Sequence, residues 1–326
     1  MNDVQPIPDE RRTVFLRAPI HHDAVALLKA DPRLDVVTWD EARIENWREE
    51  ADAVILRGTN LSGDDIRSAK RLKVIGRHGA GVDSVDIQAA RERGIVVLNT
   101  PFENSQSVAE LSVTLMLSAA RRIVHANHLV RNNEWGEGRK GKGCRELYRN
   151  RVGFVGYGRI ARMTADILRK GFEMEVMAYD PKLPAEIWQE RDDVSCVEKL
   201  EELFAACDFV SINLPRTPET TGLISEAVLA RAKPGLILVN TSRGGIVNET
   251  ALASALESGR LGAAGMDVFE QEPPSPIHPL LSLPNFIATP HYGGATQESL
   301  RRVACSIARE TASALFGATT ESYRVA

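Results

Sequence analysis

The sequence predicts an α/β protein made of two doubly wound parallel-sheet domains. Three observations carry this. Short runs of four to six residues, rich in Val and Ile and with little polar alternation, recur along the chain, which is how strands covered on both faces read. Helical patterns separate these runs, so consecutive strands are joined by crossovers and run parallel. Two much longer helical stretches each follow a block of strands.

In chain order, the first block offers TVFLR (13–17), DAVILR (52–57), LKVIGR (72–77) and GIVVLN (94–99). The second offers RVGFVG (151–156), MEVMAYD (174–180), DFVSIN (208–213), GLILVN (235–240), AAGMDVF (263–269) and NFIAT (285–289). Helices are expected at 159–170, 198–206 and 249–258, the last stopped by Gly259. The long helical stretches, about 103–132 and 295–317, are read as the places where the chain crosses between domains. The expected domains are therefore 1–103 with 291–326, and 104–290. The polar, Gly-rich segment 132–151 reads as a surface loop.

The 326 residues suffice for two cores, and 43% apolar with 26% charged is ordinary for a soluble protein. A net charge of −4 recruits no nucleic acid. No apolar run reaches membrane-spanning length, and MNDVQPIPDERR does not resemble a secretion signal. Cys144, Cys196, Cys207 and Cys305 show neither metal-ligand nor disulfide spacing, so the expectation is a cytoplasmic protein without a structural metal.

The stretch VGFVGYGRIA (152–161) contains Gly156-x-Gly158-x-x-Ala161 directly after a strand and at the start of a helix. The first glycine permits the tight turn, the second lets a pyrophosphate approach the backbone, and the small third residue packs helix on strand. The helix N-terminus offers N–H groups and a positive dipole end to phosphates. The next strand ends at Asp180, where a dinucleotide fold places the acid that binds the adenosine ribose. A carboxylate there disfavours the extra phosphate of NADP, so NAD is the expected cofactor. The plainer alternative for Asp180 is a strand-end cap before Pro181.

Three further strand ends carry chemistry. LILVNTSRGGIVNE (236–249) puts Arg243 just past a buried strand, and a guanidinium is a planar fork matching a carboxylate in two-point contact. Gly244 and Gly245 behind it would let backbone and ligand come close. MDVFEQEPP (266–274) supplies Asp267 and Glu272, and IATPHYGG (287–294) supplies His291. Histidine is the natural proton carrier near neutral pH, and a carboxylate on its far nitrogen fixes the tautomer and favours the imidazolium. Singly, each reads as well as a surface pair, a loop carboxylate or a helix-leading histidine.

Taken together, RHGAGVDSVDI (77–87), NTPFENSQSVAEL (99–111), VGFVGYGRIA, NLPRTPETTGLI (213–224), LVNTSRGGIVNE, MDVFEQEPP and TPHYGGAT resemble the D-isomer-specific 2-hydroxyacid dehydrogenase family over about 53–310, in the family's order. The resemblance implies two Rossmann-like, flavodoxin-like domains with an active-site cleft between them, hinge closure over the substrate, and a homodimer, which the long apolar 103–132 pattern also favours. It implies a catalytic set Arg243, Glu272 and His291, and substrate contacts at Arg57, His78, Ala80, Gly81 and Arg243. Cofactor contacts would fall at Ser107, Gly156, Gly158, Arg159, Ile160, Asp180, Asn213, Pro215, Thr220, Thr241, Asp267 and Gly293. Phe102 stands where the family usually has glycine, and Asn213 replaces a frequent histidine. His78 reads equally as a substrate contact or as a satisfied polar residue.

On this reading the protein is an NAD-dependent 2-oxo acid reductase, with hydroxypyruvate or glyoxylate the first expected substrate. Arg243 and the 79–81 backbone would hold the carboxylate, while His291 gives a proton to the C2 oxygen as hydride arrives at C2. LRGTN (56–60) also resembles phosphoglycerate dehydrogenases, but Asn60 stands where lysine is expected, and the expectation is a protein without an extra regulatory domain. From another class, a corepressor-like NAD-sensing protein would keep the fold without needing the trio. A methyltransferase with a similar glycine loop leaves Arg243 and His291 unexplained.

Overall fold

A computed structural model describes residues 11–184, 186, 188, 193–318 and 320–326; the N-terminal segment 1–10 lies outside them. The chain divides into two compact units, one running through Ser105 together with Gly294–Ala326, the other Gln106–Gly293. The division falls after Gly293 rather than at 290, so His291 belongs to the same unit as Arg243 and Glu272.

The first unit holds β1 (Arg12–Leu16), β2 (Leu34–Val37), β3 (Ala53–Leu56), β4 (Val74–Arg77) and β5 (Val96–Leu98), all parallel, in the order β2-β1-β3-β4-β5. The second holds β6 (Arg151–Val155), β7 (Glu175–Tyr179), β8 (Val194–Cys196), β9 (Phe209–Ile212), β10 (Leu236–Asn240), β11 (Leu261–Met266) and β12 (Phe286–Ala288). These are also parallel, ordered β12-β11-β10-β9-β6-β7-β8. These are the two common doubly wound orders. In each, the strand order reverses at one point, and ligands bind outside the carboxyl ends of the strands there. In the second unit that point lies between β6 and β9.

The unbroken apolar runs are explained by helices on both sheet faces. Successive residues of β10 enter opposite cores: Leu236 and Leu238 join one cluster with Ile212 and Leu252, and Ile237 and Val239 join the other with Phe154 and Leu168. In the first unit Val54 and Leu56 go one way, Ala53 and Ile55 the other. Each fully buried Val or Leu contributes about 1.5–3 kcal/mol.

The edge strands β2 (LDVV) and β8 (VSC) were not anticipated. Both are short and partly solvated, so they carry polar residues and lack the signature of a covered strand. The expected 103–132 helix is two helices, Ser105–Ala120 and Ile123–Arg131, broken by Arg122 in the left-handed region at φ 51°. The break has a long-range cause. The carbonyl of Ala120 accepts the Arg145 N–H at 2.8 Å, and Arg122 Nη1 donates to Lys142 O. The segment read as a loop contains the short helix Trp135–Arg139. No helix among the described residues is long and apolar enough to cross a membrane.

Candidate active site

At the switch point of the second unit, β6 ends in Val155 and the chain turns through Gly156 at φ 85°. A Cβ on Gly156 would lie 2.7 Å from the Asn213 carbonyl at the end of β9, so glycine is required for the two strand ends to meet. At Gly158 a Cβ would meet nothing within 4 Å. Gly158 is the N-cap of the helix Arg159–Phe172 and provides no side-chain cap, so the positive end of the helix faces the glycine loop. Ala161 is fully buried against the sheet. Asp180 stands at the end of β7, its Oδ2 accepting Tyr157 N–H at 2.9 Å and its Oδ1 accepting Lys182 N–H at 3.0 Å. It therefore caps the strand end and also anchors the glycine loop.

Other residues expected at the cofactor prove to brace the same edge. Thr220 donates its hydroxyl to Pro215 O at 2.7 Å and accepts Thr217 N–H, closing the 215–220 loop. The Thr241 hydroxyl meets the Ser112 hydroxyl at 2.8 Å in a buried contact. Asp267 is 1% exposed and receives Thr289 Oγ1 at 2.6 Å, Tyr292 N at 3.0 Å and Gly293 N at 2.9 Å. Its carboxylate thus shapes the turn that carries His291. Ser107 is buried, whereas Arg159 and Pro215 are exposed and Ile160 is half-buried.

Arg243 is presented by a turn that Asn240, fully buried at the end of β10, folds with its own side chain. Asn240 Oδ1 accepts Ser242 N–H at 3.0 Å and Ser242 Oγ–H at 2.8 Å, and Nδ2 donates to Arg243 O at 3.0 Å. The half-buried guanidinium donates from Nη1 to Ser242 O at 2.7 Å. Gly244 serves a different purpose from the one expected. A Cβ there would sit 1.8 Å from Phe269 O, so the missing side chain admits the neighbouring loop rather than a ligand. Gly245, at φ 76°, faces the Arg216 guanidinium, which a Cβ would approach to 3.0 Å. The Arg243 turn is thereby pressed against the loop that bears Glu272.

Glu272 accepts Phe269 N–H on Oε1 at 3.0 Å and faces His291 Nδ1 with Oε2 at 2.7 Å. A carboxylate only accepts, so Nδ1 carries the proton and Nε2 is the free face of the ring. The His291 side chain is 49% exposed and Glu272 38%, so the pair is open to a ligand and is not a sealed structural contact. His291 itself lies at φ 51°, a conformation uncommon for a side-chain-bearing residue and typical of functional turns. A pocket of about 380 Å³ lies at this edge, lined by the pair with Asp267, Phe269, Pro273, Pro274, Ala288, Thr289 and Pro290.

In the first unit Arg57 follows β3 and donates to Pro19 O at 3.0 Å. His78 follows β4 and is 5% exposed. Burial, then the fields of Arg57 and Arg77, push its pKa down to about 4, so it is a neutral imidazole at physiological pH. Asn99 and Thr100, after β5, tie down the next turn: Nδ2 of Asn99 donates to Ala80 O at 2.6 Å and Thr100 Oγ1 accepts Gly79 N–H at 3.0 Å. The Ala80 and Gly81 amides meet no acceptor among the described residues. Phe102 is exposed and stacks edge-on with Tyr323. Away from these strand ends, His21, His22 and Asp23 bring potential ligand atoms within 4.8 Å, but Asp23 is already paired with Arg301.

Fold and site together define a dinucleotide-binding α/β protein with a carboxylate-braced histidine and an arginine at adjacent strand ends. Residues 113–293 match the model of the D-isomer specific 2-hydroxyacid dehydrogenase, NAD binding domain. This chain belongs to the D-isomer specific 2-hydroxyacid dehydrogenase family, and NAD is the cofactor of its second unit. It is 39% identical to the hydroxypyruvate reductase of Thermotoga maritima over 90% of this chain and 95% of that one. It is 38% identical to the D-3-phosphoglycerate dehydrogenase of Methanocaldococcus jannaschii over 95% of this chain and 58% of that one. The chain spans little more than half the length of the curated phosphoglycerate dehydrogenases it matches. Among solved structures, a glyoxylate reductase from Paecilomyes thermophila superposes with a TM-score of 0.84 at 27% identity, covering 97% of this chain and 98% of that one.

Proposed function

We propose that this protein is an NAD-dependent D-2-hydroxyacid dehydrogenase that works as a reductase of a small 2-oxo acid, with hydroxypyruvate or glyoxylate the first candidates. The observation that carries the proposal is the 2.7 Å contact of Glu272 with His291 Nδ1, on a loop pressed against the Arg243 turn. The second unit fits the cofactor: Gly158 leaves a side-chain-free cradle before an uncapped helix N-terminus, and Asp180 stands beside it. The first-turn amides would hold its pyrophosphate and Asp180 its ribose. When bound, the nicotinamide supplies the hydride for C2 of the substrate.

The chain's own residues do the rest. Arg243 holds the substrate carboxylate and draws charge onto the C2 oxygen. His291 delivers the proton from Nε2, the nitrogen not occupied by Glu272, and Glu272 stabilises the imidazolium beforehand. In the reverse direction neutral His291 removes that proton. The first unit is assigned an anion-holding role at the Ala80 and Gly81 amides. Positioning and fixed dipoles supply most of the acceleration in such a site.

A panel of 2-oxo acids with NADH, followed by cofactor absorbance, tests the proposal; a protein that oxidises NADH with none of them is not this enzyme. NAD is expected to raise the melting temperature more than NADP, because Asp180 repels the extra phosphate. The opposite order would overturn the role of Asp180. One observation favours a second reading, oxidation of 3-phosphoglycerate. A substrate phosphate would want a second cation near Arg57, which Asn60 does not supply, and Arg77 stands at the end of β4, in register with the last residue of β3 that precedes Arg57. That substrate belongs in the same panel with NAD.

The reading includes a homodimer in the cytoplasm. The helix Ile123–Arg131 buries none of its residues, and Ile123, Val124, Val130 and the nearby Trp135 are all exposed. A second copy would cover this apolar face, and sedimentation at micromolar concentration should show twice the 35.8 kDa chain mass. Fractionation of cells that express the protein tests the compartment.

A further inference from the structure

A second histidine–carboxylate pair lies beside the first. Glu249 opens the helix Glu249–Glu257, only six positions after Arg243. Its side chain is 10% exposed and is aimed at the neighbouring loop rather than at solvent. Oε1 accepts the Glu270 N–H at 2.6 Å, and Oε2 receives Nε2 of His278 at 2.9 Å. The His278 ring packs edge-on against Phe269 at 5.7 Å. Phe269 links the two pairs: its N–H is the one that Glu272 accepts, and its carbonyl is the group that excludes a side chain at Gly244.

Adjacent peptide planes share one Cα, so the N–H of Phe269 and the N–H of Glu270 sit on two rigid planes separated only by φ and ψ of Phe269. Glu272 holds the first N–H and Glu249 the second. With both N–H groups held, φ and ψ of Phe269 are restrained from either side, so whatever fixes Glu249 also restrains the backbone to which the Glu272 carboxylate is hydrogen-bonded. We infer that Glu249 and His278 are a positioning pair, which holds the 269–272 loop and sets the direction in which Glu272 meets His291. The inference rests on the proposed roles of Glu272 and His291 but touches neither substrate nor cofactor. The other nitrogen of His278, Nδ1, is buried and has no partner among the described residues. What the site uses is thus a single donor at Nε2, which a glutamine amide could also provide.

His278→Phe keeps a ring against Phe269 and removes the donor; His278→Gln restores a donor. Two readouts are needed: kcat and KM for NADH with glyoxylate, and nitrogen–proton NMR of the histidine rings in the ligand-free protein, which reports the tautomer of His291. His278→Phe is expected to lower kcat about tenfold, as displacement of a catalytic group by a fraction of an ångström does. KM for NADH should stay within about twofold, since the glycine loop is untouched. The His291 ring should lose its preference for the proton on Nδ1, and His278→Gln should recover both properties. Unchanged kcat and unchanged His291 signals in His278→Phe would overturn the inference. So would failure of His278→Gln to recover either, which would mean that the ring acts through packing. Should His278→Phe not fold, Glu249→Gln is judged by the same criteria. If the wild-type protein reduces no 2-oxo acid, the proposed function fails, while the NMR comparison still decides the positioning pair.

Discussion

His291→Asn is expected to lower kcat by about 10²–10⁴-fold, the usual worth of a positioned general acid–base. Asparagine occupies similar space but transfers no proton in the accessible pH range. The variant should still fold, because what shapes the turn is backbone bonding to Asp267, from Tyr292 and Gly293, together with Thr289. The cost of holding residue 291 at φ 51° is also lower for asparagine than for most residues. NAD affinity, read by the ligand-induced rise in melting temperature, should change little, since the glycine loop is unaffected. Steady-state turnover with saturating NADH is the measurement. Turnover within about threefold of wild type would remove His291 from the mechanism, because no positioned acid–base is worth so little.

Arg243→Ala has the next largest expected effect. A bidentate guanidinium–carboxylate contact involves two charge-assisted hydrogen bonds, each worth about 1.5–3 kcal/mol. At 1.36 kcal/mol per tenfold, kcat/KM should fall by about 10²–10⁴. KM for the 2-oxo acid should rise because the carboxylate is held less tightly. kcat should fall as well, because polarisation of the C2 oxygen matters most in the transition state. The same variant separates the enzyme from an NAD-binding protein that acts only through partners. If Arg243→Ala retains the protein's full biological function in cells, the catalytic reading is wrong, whatever the activity in the cuvette.

Much of the architecture was legible in the sequence because it depends on local pattern. Strands covered on both faces are mostly apolar, and the interior strands β3, β9 and β10 depart from this only at Ser211 and at the terminal Asn240. The edge strands β2 and β8 escaped because solvent on one side permits Asp, Ser and Cys in them. The helix break at Arg122 escaped because its cause lies more than twenty positions away: Arg145 takes the Ala120 carbonyl, and neither Gly nor Pro marks the site. By sequence Gly244 suits the approach of a ligand, whereas in the fold it admits the Phe269–Glu270 backbone. Nothing in the sequence marks Glu249 or His278 for function. A glutamate at the first position of a helix reads as an ordinary response to the helix dipole, and a histidine before Pro279 reads as a turn residue. Only their shared partner, the loop of Glu272, gives them a common role.

The sequence by itself determined which residue types stand at the carboxyl ends of which strands, because strand, turn and helix signals are written within a dozen residues of one another. It thereby fixed the glycine loop, the acid after β7, and the arginine, glutamate and histidine after β10, β11 and β12. Only the tertiary structure decided which of these side chains are engaged by neighbouring loops and which stay exposed. Asp267, Thr220 and Thr241 turned out to have hydrogen-bonded partners of their own, and Gly244 a neighbouring backbone against it. The reason is physical: a hydroxyl or carboxylate at a strand end has the same local signature whichever partner it finds. The partner is set by packing between loops that are brought side by side only when the parallel strands align.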